Sequence, residues 1–377
     1  MFYKNARIYA SDCKFHHGAF EVTDDGRFGQ VLPNRVPEDA YDLEGATVIP
    51  GLVEVHSHGN SGCDFSDGDY EGLKEMARYY LSCGVTSFAP ASMTLPYEVL
   101  EKAFAMARRL VDEDPAGCAK LRGIHMEGPY FSYKKRGAQN PDYLKEPDFE
   151  GFQKLYDGCG GLVRIVDVAP ELPGAAEFIR RASKLCTVSV AHTDSDYEHA
   201  KTAFASGASH LTHLYNAMPG ISHRNPGVIP AAAECPHVRA ELICDGLHIH
   251  PATVRLAFSM FGGERMIIIS DSGRCAGQPE GTEFDLGGQT AKVISGVARL
   301  SDGTIACSAT NLWQCLVNAI SFGVAEEAVI RACTINPACA LGVQGEVGSI
   351  APGKQADFVV CTPDYAKKRV YLAGKLM

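Results

Sequence analysis

Eight short apolar runs through the middle of the chain limit what it can fold into more than any other feature. They are Val53–His58, Val85–Ala89, Leu121–Glu127, Val163–Ala169, Thr187–His192, Ser209–His213, Ala240–Asp245 and Met266–Asp271. Each has the length of a strand, and helix-like or long loop segments separate them. The clearest helix is Tyr97 to Val111, with apolar residues at Val99, Leu100, Ala103, Phe104, Ala107 and Leu110. Eight strands, each followed by such a segment, predict an α/β fold, a TIM-like (β/α)8 barrel, over residues 51–344. An open doubly wound sheet fits less well, because no GxGxxG follows the first run.

The two ends have a different texture. Phe2–Tyr9, Gly18–Val22 and Ala46–Ile49 read as short strands, with turn signals at Asp24-Asp25-Gly26 and Leu32-Pro33-Asn34. Asp357–Cys361 and Arg369–Leu372 read the same way after the Pro352-Gly353 turn. Residues 1–50 and 345–377 are therefore predicted to form one small β-sandwich domain built from both termini.

In a barrel of this kind the chemistry collects at the C-terminal ends of the strands. Standing there are His56, His58, Glu127, Glu171, His192, His213, Asp245 and Asp271. Residues two apart on a strand share a face, so His56 and His58 can share one ion. Imidazole nitrogen and carboxylate oxygen suit a divalent metal, zinc first, with iron, manganese or cobalt as alternatives. The expectation is a centre of one or two ions. His56, His58 and Asp271 hold one, His192 and His213 hold the other, and Glu127 bridges.

Other histidines read as structural. His125 shares a face with Glu127 but lies deeper, and His210 points away from His213; both are expected to be hydrogen-bonded residues of the core. His16, His17, His199, His237 and His250 are expected in solvent. Cys63 and Trp313 read as packing residues, and Asp245 as a residue that orients the loop after it.

Composition excludes several classes of function. Lys plus Arg number 35 against 45 for Asp plus Glu, a formal charge of -10 that does not favour nucleic acid or an anionic membrane. No apolar run approaches the roughly 20 residues needed to span a bilayer, and the first residues lack the order of a signal peptide. The 14 cysteines show no CxxC pair or regular spacing, so a reduced, cytoplasmic setting is expected.

Seven motifs then carry a resemblance. They are Pro50–Gly59 (PGLVEVHSHG), His125–Tyr130 (HMEGPY), Ala169-Pro170-Glu171, Ala191–Asp194 (AHTD), Thr212–Pro219 (THLYNAMP), Asp245–His248 (DGLH) and Ser270-Asp271. With the closing run Gly348–Asp357, they resemble the N-acetylglucosamine-6-phosphate deacetylase family of the amidohydrolase superfamily. The resemblance implies metal-dependent removal of acetate from N-acetylglucosamine 6-phosphate. Asp271 would act as general base and then general acid, and Glu127 would bridge in place of a carbamylated lysine. Arginine matches phosphate bidentately, which makes Arg224 the candidate for the substrate's phosphate. The resemblance adds Asn216, Ala217, His248 and the Gly137-Ala138-Gln139 loop to the sugar site, and Ile305, Ala306 and Cys307 to the acyl pocket. It also implies a homodimer, with Arg224 and His248 reaching across the interface.

This chain departs from the family at a few positions. Both histidines of the first run are present, which favours two ions. Gln139 stands where relatives have a histidine, Ser272 where they have an alanine, and Cys307 where they have a glycine. Cys307 is expected to narrow or re-shape the acyl wall. The alternatives are the galactosamine epimer of the same substrate, a cyclic-amide hydrolase or deaminase, and a barrel that only binds sugar phosphate. The fourth run, Val163–Ala169, lacks the lysine that the cyclic-amide enzymes commonly use.

Overall fold

The computed structural model describes residues 1–377 apart from Gly287. Runs rich in Val and Ile, able to be buried on both sides, make its central layer. The strands are β1 (Leu52–Glu54), β2 (Val85–Phe88), β3 (Lys120–Leu121 continuing as Ile124–Met126), β4 (Val163–Val168), β5 (Thr187–Val190), β6 (His210–Leu211), β7 (Arg239–Ile243) and β8 (Met266–Ile269). Consecutive strands pair in parallel from β1 to the first piece of β3, and from its second piece to β8. The return to the start is made beyond the strands, where Asp271 N–H donates to His56 O at 3.0 Å and His58 N–H to Ser272 O at 2.8 Å. The path is thus a closed ring of parallel strands in a mixed α/β chain.

All eight expected runs are strands, but most ladders stop short of the expected ends. His192, His213 and Asp271 have φ of +43°, +29° and +46°. That left-handed backbone cannot continue an extended strand, so the chain turns just where these side chains emerge. Val53, Val55, Ile165, Ile243, Ile267 and Ile269 cluster across the inside of the ring, packed on Ala338 and Leu341. Helices start where short polar side chains can cap them: Asp69, Asp148, Asp196 and Asn311 each accept a first-turn backbone N–H. The helix expected at Tyr97–Val111 runs to Glu113, with Leu100, Ala103, Phe104, Ala107 and Leu110 buried. Val99 was expected on that face, but it is 37% exposed.

After β8 the chain leaves the ring and builds a four-stranded antiparallel insert that the eight-run pattern did not include. Its strands are β9 (Glu283–Leu286), β10 (Gln289–Ile294), β11 (Val297–Leu300) and β12 (Ile305–Ser308). It rests on the loops above β2 and β3, sharing an apolar cluster with Met93 and Ala138.

Both termini do meet in one sheet of eight strands, in which Thr47–Pro50 pairs with Phe2–Tyr9 on one side and Phe358–Cys361 on the other. Phe15–Val22 lies three strand spacings from Phe358–Cys361, roughly 14 Å in a flat sheet. The Phe20 and Phe358 rings are nonetheless 5.2 Å apart, so the sheet folds over onto its own aromatic face. Among the described residues no helix is long and apolar enough to cross a membrane.

Candidate metal centre and cavity

The side chains that emerge where β1, β3, β5, β6 and β8 end converge on one buried spot. Glu127 Oε1 lies 3.1 Å from His192 Nε2 and 3.2 Å from His213 Nε2, and the two nitrogens are 3.1 Å apart. Beside this trio, Asp271 Oδ1 lies 3.7 Å from His56 Nε2 and 3.5 Å from His58 Nε2. Glu127 also faces the second group, at 3.6 Å from His56 Nε2 and 3.4 Å from His58 Nε2.

This donor set fits a divalent metal. A tetrahedral ion with bonds of about 2.0–2.1 Å holds its nitrogen and oxygen ligands roughly 3.3 Å apart, close to the edges of the Glu127–His192–His213 triangle. His56 Nε2 is buried with no hydrogen-bond partner among the described residues, an arrangement that is costly unless something accepts its lone pair. His56, His58 and Asp271 form one compact ligand group, and Glu127, His192 and His213 another.

Hydrogen bonds behind the centre fix the rings. A backbone carbonyl and a carboxylate can only accept, so each partnered nitrogen carries the proton. His56 Nδ1–H donates to Glu241 Oε2 at 2.8 Å and His192 Nδ1–H to Lys135 O at 3.0 Å, leaving both Nε2 atoms free. His125 donates from both nitrogens, to Val55 O and to Asp167 Oδ1, each at 2.9 Å. Burial lowers its pKa, but Asp167 and Glu241 beside it outweigh that and leave it raised. Burial pushes the Glu127 carboxyl up, but the imidazoles of His192, His213 and His58 around it hold it well below the usual carboxylate range.

A cavity of about 220 Å³ opens over this centre. His58, Glu127, His192, His213 and Asp271 form its floor, and Gly137, Ala138, Gln139, Asn216, Ala217, Ile305 and Ala306 line it, together with Met93 and Thr304; His248, expected to reach across an interface, lines its own subunit's cavity instead. Gln139 lies deeper than a surface contact: its Nε2 donates to Glu127 Oε2 at 2.6 Å, and its Oε1 accepts the Thr94 N–H at 2.8 Å.

Two expected residues are not part of the lining. Cys307 is fully buried behind the wall, its Sγ 3.8 Å from Cys275 Sγ, so it does not narrow the cavity directly. Arg224 is exposed on the loop before Gly227 and does not line its own subunit's cavity. Asp245 orients the following loop, accepting the Leu247 and His248 N–H groups and the His248 Nδ1–H. Glu171 holds the turn after His192, accepting from Thr193 Oγ1 at 2.5 Å and Asp194 N–H at 2.7 Å.

The sequence reading missed Glu241 and Asp167, both fully buried. The available signal was a lone carboxylate inside an apolar strand (Ala-Glu-Leu-Ile and Val-Asp-Val), which costs too much to bury without partners.

Comparison with known proteins places this geometry. The model of the amidohydrolase family matches residues 47–377. The chain is 36% identical to N-acetylglucosamine-6-phosphate deacetylase of Bacillus subtilis over 90% of this chain and 88% of that protein. It is 29% identical to N-acetylgalactosamine-6-phosphate deacetylase of Escherichia coli O157:H7, over 93% of each. Among solved structures, a mutant N-acetyl-D-glucosamine-6-phosphate deacetylase of Mycobacterium smegmatis in complex with N-acetyl-D-glucosamine-6-phosphate superimposes with a TM-score of 0.93. That match has 30% identity and covers 100% of this chain and 98% of the other. The chain belongs to the amidohydrolase family, among its N-acetylglucosamine-6-phosphate deacetylases.

Proposed function

We propose that this protein removes acetate from N-acetylglucosamine 6-phosphate, releasing glucosamine 6-phosphate. The observation that carries the reading is Glu127 set between His192 and His213 on one side and His56 and His58 on the other, beneath a lined cavity. Support for the substrate comes from the N-acetylglucosamine-6-phosphate deacetylases among its relatives. On this reading the ring is a (β/α)8 barrel of residues 51–344, and residues 1–50 with 345–377 are a small β-sandwich domain.

His56, His58 and Asp271 would hold one divalent ion, His192 and His213 the other, and Glu127 would bridge; zinc suits the donors best. When bound, the metal supplies a Lewis acid that makes water nucleophilic at neutral pH and polarises the amide carbonyl. Asp271 then takes a proton from the attacking water and returns it to the sugar nitrogen as the C–N bond breaks, so acetate and a free amine leave. Asn216, Ala217, His248 and the Gly137–Gln139 loop orient the sugar, and Ile305 with Ala306 face the acyl group. Arg224 binds the phosphate from a neighbouring subunit of a homodimer, which accounts for its place outside its own cavity. The setting is cytoplasmic.

The assay is acetate release from the two epimeric sugar phosphates, with metal content measured alongside. Asp271→Asn is expected to lose about 10²–10⁴ in turnover. Normal turnover in that variant removes Asp271 from the role, and faster release from the galactosamine epimer reassigns the substrate.

A further inference from the structure

We infer that Glu241 is the positioning residue of the centre, fixing one ligand of each ion group, His56 through its ring and His213 through its main chain; this rests on the metal-centre reading above. Glu241 sits on β7, which contributes no ligand, and is fully buried. One carboxylate oxygen accepts from His56 Nδ1 at 2.8 Å and lies 3.3 Å from the His213 N–H; the other accepts from His210 Nε2 at 3.0 Å. The buried His125 ring also lies close, its Nδ1 3.7 Å from Oε1. No Lys or Arg ion pair with Glu241 occurs among the described residues.

The contrast within each ligand group carries the inference. His56 and His192 are each pinned at Nδ1, by Glu241 and by the Lys135 carbonyl. His58 and His213 have Nδ1 atoms that are buried and unpartnered among the described residues. Each group thus pairs one imidazole held at Nδ1 with one that makes no hydrogen bond there. Only His56 is fixed by a charge. A carboxylate behind an imidazole selects the tautomer that frees Nε2 and raises its basicity as a ligand. Through the His213 N–H the same carboxylate also sets the left-handed turn that aims His213. Glu241 therefore ties the first ion group to the second across β1, β6 and β7.

The test is a cobalt(II) titration of the metal-stripped protein, following the visible d–d bands and the affinity of each site, with circular dichroism to verify folding. Glu241→Gln keeps the shape, removes the charge and can turn an N–H towards His56. It is expected to weaken one site about 10- to 100-fold and shift its bands. Glu241→Asp keeps the charge but withdraws it from His56, and is expected to weaken the same site; it decides the matter if the Gln variant does not fold. His210→Gln leaves the His56 contact in place and is expected to keep the wild-type bands. Wild-type affinity and bands in both Glu241 variants overturn the inference. Equal weakening in all three variants also overturns it, because Glu241 would then be a strut of the fold. A wild-type protein that binds no cobalt overturns the metal centre itself, a separate and visible outcome.

Discussion

The Gln139 side chain spans the gap between Glu127 and the loop after β2, donating to Glu127 Oε2 at 2.6 Å while accepting from the Thr94 N–H at 2.8 Å. It holds the rotation of the carboxylate that faces four histidines. A buried hydrogen bond to a charged group is worth about 1.5–3 kcal/mol. Gln139→Ala is therefore expected to lower kcat/KM about 10- to 100-fold, read from steady-state acetate release. Unchanged kinetics would mean that Glu127 is held by the histidines alone.

In the proposed homodimer each site takes Asp271 from one subunit and Arg224 from the other. Arg224→Ala and Asp271→Asn are each expected to be nearly inactive alone. Mixed and allowed to exchange subunits, they should recover about a quarter of wild-type activity, since half of the dimers are hybrids and each hybrid has one intact site. No recovery after verified exchange would place Arg224 outside the neighbouring site.

Metal removal should be visible without substrate. A ligand that binds only the folded state stabilises it by about 4 kcal/mol at a thousand times its dissociation constant. Stripping with a chelator is expected to lower Tm and abolish acetate release, and excess zinc should restore both. A Tm indifferent to chelator and zinc would show that the His–carboxylate cluster is built to stand alone.

The terminal sheet is pinned to the helix Glu326–Cys333 by a forked pair, Arg7 Nη1 to Glu326 Oε1 at 2.8 Å and Nη2 to Oε2 at 2.6 Å. The Arg7 hydrogen bonds hold the Glu326 carboxyl below its ordinary 4.5, outweighing burial. A depressed carboxyl stabilises the fold above its unfolded pKa, and that contribution fades as pH falls through the folded value. Glu326→Gln should cost about 1–3 kcal/mol at neutral pH. The difference from wild type, measured by denaturant unfolding, should shrink progressively below pH 4.5. A difference constant with pH would show that the pair acts by shape alone.

Cys307 lies behind the cavity wall. One methylene in a pocket is discriminated about 10- to 200-fold when the wall touches it. Cys307→Ala should change the acetyl-to-propionyl preference by less than about twofold; a larger change would return Cys307 to the wall.

Most of the ring was legible because strands buried on both faces are written as unbroken apolar runs, and its ligands because polar residues at the ends of such runs need a reason to be there. The insert was not legible. Glu283–Leu286 and Gln289–Ile294 carry exposed charged or polar residues between single apolar ones, a pattern also common in loops. Glu241 and Asp167 were hidden for the opposite reason. Their partners, His56, His210, His125 and Thr212, lie on other strands, so nothing adjacent in the chain announces them. The place of Cys307 behind the wall was not legible, because a position in a motif tells which segment forms a wall, not which of its side chains face inwards.

The insert comes back to the place it left. Ser308 N–H donates to Asp271 O at 2.8 Å and Ser308 Oγ to Ser270 O at 2.6 Å, two and three residues beyond Ala306 and Ile305. The residues proposed to face the acyl group and the carboxylate proposed to carry the proton are thus buttons on a single strap. On the proposed mechanism, repacking that wall for a bulkier acyl chain is expected to tug on Asp271, so that selectivity and turnover shift together.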